Sequence, residues 1–219
     1  MKFSAIITAG GTSSRFGKTN KLLEIIHGKE IIKHTVDAFV NAGFDEIVVC
    51  ANRSIIKILS DIFKNYSSVK IVEGGNSRQA SVYNGLKSIT NCDYVLIHDG
   101  ARPMITHDII EKTKKTVIEK KAVSVMTKTI DTIKEVDPSG KIIRTIDRTK
   151  LYNTQTPQAF EYNLIKTVHD KLQQENFTDD AGMLESLGYD VYIVEGDYKN
   201  IKITTKSDLA LAQIYLADN

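Results

Sequence analysis

The sequence predicts an α/β protein built on a mostly parallel, twisted sheet with helices on both faces. Short runs rich in Ile and Val alternate with longer segments of helical period at least four times along the chain. Those runs are apolar at consecutive positions, as strands covered on both faces are, and do not alternate apolar with polar. With 219 residues the chain suits a single domain over 1–219, long enough to bury a core without disulfides or a structural metal.

The first strand is expected at residues 3–9 and the first long helix at 29–41. There Ile31, Ile32, Val36, Phe39 and Val40 recur at near-helical spacing and form one apolar stripe facing a sheet. A strand at 46–51 leads to a helix at 54–66, one at 69–73 to a helix at 78–89, and one at 94–99 to a helix at 107–120. Residues 122–127 form a further strand. The alternation then breaks at 129–147, where two β-rich runs flank Asp137-Pro138-Ser139-Gly140. Pro138 presets the backbone for a turn and Gly140 tolerates the left-handed conformation at its end, so this segment reads as a β-hairpin. A two-stranded hairpin is marginal alone in water, so it must pack on its own domain or on a partner chain. Helices at 161–174 and 180–187, a strand at 191–195 and a terminal helix at 207–216 complete the chain.

Charge and composition exclude several classes. The 29 Lys and Arg against 27 Asp and Glu leave a net charge of +2, far from the basic footprint of a nucleic-acid binder. With 42% hydrophobic and 26% charged residues the chain is not disordered. Cys50 and Cys92 lie in or beside apolar runs, with no second Cys or His at metal-ligand spacing, and read as reduced thiols. No stretch reaches the roughly 18 apolar residues of a membrane span, and the N-terminal run, broken by Ser4 and Thr8, lacks the pattern of a signal peptide. A cytoplasmic protein with no membrane partner is expected.

Three segments carry candidate chemistry. After the first strand comes Thr8-Ala9-Gly10-Gly11-Thr12-Ser13-Ser14-Arg15-Phe16-Gly17-Lys18-Thr19-Asn20-Lys21. Small residues at the carboxyl end of a parallel strand let backbone N–H groups approach an anion, and Arg15, Lys18 and Lys21 add cations to the same loop. It reads as a phosphate cradle. The P-loop pattern does not fit, since five residues separate Gly11 from Gly17-Lys18-Thr19 where four are needed, and the dinucleotide fingerprint would require glycine at Thr12 and Arg15. A second loop, Gly74-Gly75-Asn76-Ser77-Arg78-Gln79-Ala80-Ser81, opens a helix with Ser77 as its N-cap and puts Arg78 and Ser81 at the crevice. The third, His98-Asp99-Gly100-Ala101-Arg102-Pro103, ends an apolar strand on a carboxylate. Asp99 is the metal candidate, because Mg²⁺ takes oxygen ligands and completes its shell with water and phosphate. His98 suits structural hydrogen bonding better than proton transfer.

These segments, with Asp147-Arg148, Gln155-Thr156-Pro157-Gln158, Thr178-Asp179-Asp180-Ala181 and Asn200-Ile201-Lys202-Ile203-Thr204 in that order, resemble the 2-C-methyl-D-erythritol 4-phosphate cytidylyltransferases of the non-mevalonate isoprenoid pathway. The resemblance covers nearly the whole chain. It implies a Rossmann-like nucleotidyltransferase domain, with Mg²⁺ (or Mn²⁺) as cofactor and CTP as substrate. In the implied reaction a phosphate oxygen of methylerythritol phosphate attacks the α-phosphorus of CTP and releases pyrophosphate. Arg15 and Lys21 match the cations that stabilise that transition state, and Arg148 and Lys202 match the pair that positions the sugar phosphate. Thr132, Thr156 and Thr178 match acceptor-site positions. Ala9, Gly75, Arg78 and Ser81 match contacts to the base, Gly10 and Gly11 lie in the phosphate loop, and Asp99 matches the metal ligand. The resemblance further makes residues 129–147 an arm reaching over the active site of a second subunit, so a homodimer is expected.

The chain departs from the family in two places. The loop usually reads Ala-Ala-Gly-x-Gly-x-Arg; here it is one residue longer, with Ser or Thr where the later Gly stands. Asn20-Lys21 replaces a common Pro-Lys-Gln, which leaves Lys18 a competitor for the role of Lys21. A ribitol-5-phosphate cytidylyltransferase of teichoic acid synthesis, a non-catalytic nucleotide-sensing module and a P-loop NTPase are the alternative readings.

Overall fold

Ile6 and Ile7 are neighbours that point to opposite faces of a strand, and both are fully buried. Ile7 belongs to one apolar cluster and Ile6 to another, so the strand that carries them divides two cores. A computed structural model, describing residues 1–11, 16 and 20–217, shows how the rest of the chain supplies both. In chain order the elements are β1 (Phe3–Ala9), a 3-10 turn (Lys21–Leu23), β2 (Ile25–Ile26), β3 (Lys29–Glu30), α1 (Ile31–Asn41), β4 (Glu46–Ala51), α2 (Ile56–Ile62), β5 (Val69–Glu73), α3 (Arg78–Ser88), β6 (Tyr94–Asp99) and α4 (His107–Lys120). There follow β7 (Ala122–Lys128), β8 (Lys134–Val136), β9 (Ile142–Thr145), a second 3-10 turn (Arg148–Lys150), β10 (Tyr152–Glu161), α5 (Tyr162–Lys171), α6 (Asp180–Ser186), β11 (Tyr192–Glu195) and α7 (Lys206–Ala217).

Seven strands form the main sheet in the order β11-β7-β10-β6-β1-β4-β5. β1 runs parallel to β4 and β6, β5 parallel to β4, and β11 parallel to β7. Ile31, Ile32, Val36 and Phe39 of α1 join Ile109 and Val117 of α4 and Ala212 of α7 in the cluster on one face. Val82 and Leu86 of α3, Ile165 and Val168 of α5 and Leu184 of α6 fill the other. The expected two-layered cover is therefore present.

The sequence pattern does not announce the short β2–β3 pair, whose Lys29–Glu30 takes the expected first turn of α1, nor, in the main sheet, β10. It lies antiparallel between β6 and β7. Polar residues fill much of its length, and Pro157, which has no N–H to give to a ladder, argues against a central strand. The structure accommodates it where the register with β7 shifts between Thr154 and Gln158, and the Thr156–Pro157 peptide is cis. The buried polar groups of this stretch find side-chain partners instead. Gln158 Nε2 donates to Ser124 Oγ and Asp179 Oδ2, and its Oε1 accepts from the backbone of Asp180 and Ala181.

The hairpin forms as expected, with Gly140 at φ +86° and Asp137 Oδ1 accepting from Ser139 and Lys141. β8 and β9 make a sheet of their own in which every residue is exposed. Ile130, Ile142 and Ile143 on this arm are more than half exposed, at 64%, 58% and 56%.

The chain leaves β1 for β4 and β5 on one side and returns to β6 on the other. Loops after β1 and β6 therefore diverge and open a crevice at the carboxyl ends of the strands, the place where such sheets bind ligands.

Candidate functional site

Close backbone approach shapes this crevice. A methyl group on Gly75 would stand 2.4 Å from Ala80 Cβ, and one on Gly100 2.9 Å from the Thr8 carbonyl oxygen. Both positions need glycine for lack of space. Ser81 Oγ donates to the Ser77 carbonyl and accepts from the Gly75 N–H, pinning the second glycine loop onto the first turn of α3. Asn52 Nδ2 donates to the Gly10 carbonyl at 3.2 Å and steadies the start of the first loop.

The result is a cavity of about 340 Å³ lined by Ala9, Gly10, Gly11, Lys21, Gly75, Arg78, Ser81, Asp99 and Lys202, together with Thr8, Leu22, Asn76, Ser77, Gly100 and Ala101. A second cavity of about 280 Å³ adjoins it, lined by Thr154, Gln155, Thr156, Gln158, Thr178, Asp179 and Arg102 and again by Arg78, Asp99 and Lys202. The fold thus brings together the nucleotide-side candidates in one cavity and Thr156, Thr178 and Lys202 in the other. Thr132 and Arg148 line neither. Both belong to the arm region, where Arg148 Nη1 donates to the Ile130 carbonyl. Arg15 and Lys18 lie outside the described residues.

Asp99 is the sole acid among the described residues lining the larger cavity, and cations surround it. Lys202 Nζ stands 3.0 Å from its Oδ2 and Arg102 Nε 3.3 Å, while Arg78 Nε is 3.8 Å from Oδ1. Burial alone would raise the Asp99 carboxyl, but Lys202, Arg78 and Arg102 outweigh it and hold the group well below the usual carboxylate range. The donor set is a hard one, a carboxylate with the Thr8 hydroxyl 3.4 Å away, and no group of three His, Cys, Asp or Glu side chains is gathered among the described residues. Such a site fits a cation like Mg²⁺, which draws most of its shell from water and phosphate.

Residues 200–203 cross the crevice mouth. Lys21 Nζ donates to the Ile203 carbonyl at 2.6 Å, the Ile203 N–H donates to the Ala101 carbonyl at 2.9 Å, and Arg102 Nη1 donates to the Asn200 carbonyl at 2.7 Å. Asn200, fully buried, donates from Nδ2 to the Thr156 carbonyl and Gln155 Oε1. Sequence reasoning did not single out Arg102, Asn200, Gln155 or Asp180. All four stand inside quoted motifs, but they have partners distant in sequence.

His98 has a fixed tautomer. The Arg102 carbonyl can only accept, so the proton sits on Nε2, and the bare Nδ1 accepts from the Thr156 hydroxyl, whose oxygen accepts in turn from the Asp99 N–H. Burial pushes its pKa from the ordinary 6.5 down to about 4, so it is neutral near pH 7. An unfolded imidazole takes up a proton near 6.5 and the buried one only near 4. Stability should therefore be complete above pH 6.5 and fall as the pH drops toward 4, by roughly 3 kcal/mol from this group. Urea unfolding from pH 7.5 to 4.5 measures it; a flat profile, or an equal loss in His98→Gln, would contradict this reading.

The model of the 2-C-methyl-D-erythritol 4-phosphate cytidylyltransferase family matches residues 3–218. A protein of that name from Clostridioides difficile strain 630 is 44% identical over 223 residues, covering 96% of this chain and 92% of its own. One from Clostridium perfringens strain 13 is 43% identical, covering 98% and 99%. The crystal structure of 4-diphosphocytidyl-2C-methyl-D-erythritol synthase from Anaerococcus prevotii superposes with a TM-score of 0.88 at 32% identity, covering 99% of this chain and 96% of that one. The crystal structure of the cytidylyltransferase from Thermus thermophilus gives a TM-score of 0.84 at 27% identity, with both chains fully covered.

Proposed function

This chain belongs to the 2-C-methyl-D-erythritol 4-phosphate cytidylyltransferase family, and we infer from that membership and from the site that it transfers a cytidylyl group from CTP to 2-C-methyl-D-erythritol 4-phosphate. The products are 4-diphosphocytidyl-2-C-methyl-D-erythritol and pyrophosphate. One observation carries the assignment to this site: two cavities, one glycine-walled and one polar, meet at Arg78, Asp99 and Lys202. In this reading CTP occupies the larger and the sugar phosphate the smaller. The two polyanions then meet at Lys202, which lines both cavities and holds them in register for in-line attack.

The acceptor phosphate is already ionised near neutral pH and attacks without a general base. As its oxygen bonds to the α-phosphorus, the bond to the β-phosphate breaks and pyrophosphate leaves. Lys21 and Arg15 neutralise charge on the nucleotide phosphates, and Lys202 orients the acceptor phosphate. Asp99, with the nucleotide phosphates, would hold a Mg²⁺ ion that offsets the charge gathering on those phosphates. Ala9, Gly75, Arg78 and Ser81 contact the cytosine end; Thr156 and Thr178 face the polyol. Pyrophosphate release from CTP and Mg²⁺, assayed in parallel with methylerythritol 4-phosphate and ribitol 5-phosphate, tests the reading. Release with the first alone is expected; release with ribitol 5-phosphate alone would move the chain to a different acceptor.

Thr132 and Arg148 serve the pocket of a second subunit. What supports this is that neither lines either of the two site cavities of its own chain, while the arm leaves Ile130, Ile142 and Ile143 in solvent. A homodimer is therefore expected in light scattering, reduced to monomer by Ile142→Asp/Ile143→Asp. A wild-type monomer at full activity would refute it.

A further inference from the structure

Arg78 stands between two carboxylates and is not shared evenly. Its Nη1 lies 2.7 Å from Asp180 Oδ2, whereas its Nε stays 3.8 Å from Asp99 Oδ1. Its Nη2 is shut off from solvent and has no hydrogen-bond partner among the described residues. Saturation of its own donors therefore does not set its place; the pull of Asp180 does.

Asp180 is fully buried in the first turn of α6 and lines neither cavity. Its Oδ1 accepts from His169 Nε2 at 3.0 Å, and the His169 ring lies parallel to Tyr83, 6.1 Å between centroids. Its backbone N–H donates to Gln158 Oε1. A buried carboxylate costs desolvation, and the structure answers that cost with a guanidinium and an imidazole N–H. Without Asp180, the nearest anion to Arg78 would be Asp99, the sole acid lining the larger cavity among the described residues. Closing that gap would tie the guanidinium to Asp99 and neutralise that one carboxylate of the nucleotide cavity.

We propose that Asp180 is a positioning residue of the nucleotide site: it grips Arg78 from behind, holding the arginine in the wall of the larger cavity with its guanidinium off Asp99. This rests on the reading that CTP occupies that cavity. Asp180 also follows Thr178 by two positions, so the turn that faces the acceptor cavity anchors the arginine of the nucleotide cavity.

Calorimetric titration of CTP and Mg²⁺ without acceptor, with steady-state kinetics, tests it on wild type, Asp180→Asn, Arg78→Met and the double variant. Asp180→Asn should weaken CTP binding and raise its KM roughly tenfold, the scale of a lost charge-assisted hydrogen bond, with the acceptor KM near wild type. In the Arg78→Met background the same change should cost no further CTP affinity. Wild-type affinity in Asp180→Asn, or losses that add, would overturn the proposal. If Asp180→Asn does not fold, Arg78→Met/Asp180→Leu, which exchanges both charges for apolar groups, is compared with Arg78→Met. Equal CTP affinity upholds the proposal and a further loss overturns it. Absence of CTP binding by folded wild type would instead refute the assignment of the cavity, and the inference with it.

Discussion

Asp99→Ala is expected to lower kcat/KM for pyrophosphate release about a thousandfold, the scale reached when a principal electrostatic element of a transition-state site is removed. The reason is local. Asp99 is the point on which Lys202, Arg102 and Arg78 converge, at 3.0, 3.3 and 3.8 Å. Its loss removes the candidate metal carboxylate and leaves those three cations repelling one another across the crevice. His98→Ala, one residue earlier, should lose much less, because that imidazole is neutral and donates only to the Arg102 carbonyl. Steady-state kinetics on both variants, with folding checked by circular dichroism, decides the matter. Equal losses in turnover would remove Asp99 from its assigned role.

Lys202→Met should cut kcat/KM for the acceptor about a hundredfold, as expected when one charge clamp on a transferring phosphoryl centre is deleted. The substitution keeps the length of the stem and removes the charge. Lys202 lines both cavities and is the most exposed partner of Asp99, its side chain 42% accessible against 24% for Arg78 and 11% for Arg102. It is the cation free to turn toward an incoming phosphate, while Arg78 and Arg102 are tied down by Asp180 and the Asn200 carbonyl. CTP affinity should change less than acceptor use. Unchanged acceptor kinetics would sink the assignment.

The alternating core strands were legible because both their faces are apolar, a signal that needs no knowledge of partners. β10 was not, because Gln155, Thr156, Pro157 and Gln158 carry neither an apolar run nor an alternation, and their burial is repaid by partners such as Asn200 and Asp179 far along the chain. The candidate site was legible where glycine-rich loops follow strand ends, since backbone approach leaves a mark in composition. Asp180 left no such mark: its meaning depends on Arg78, 102 residues away. Short-range pattern reports which residues border a crevice; it does not report which of them lean on one another behind it.

β10 also has a mechanical meaning. The strand begins at Tyr152, just past the base of the hairpin, and reaches Thr156 on the cavity wall without an intervening loop, a span of about 13 Å at strand rise. Tyr152, Asn153 and Thr154 pair with Lys128, Thr127 and Met126 of β7 and stiffen its outer part. A load applied at the outer end therefore reaches Thr154, itself on the cavity wall, through paired strand. A molecule seated on the hairpin would not merely shelter the pocket; it would set the strain on one of its walls.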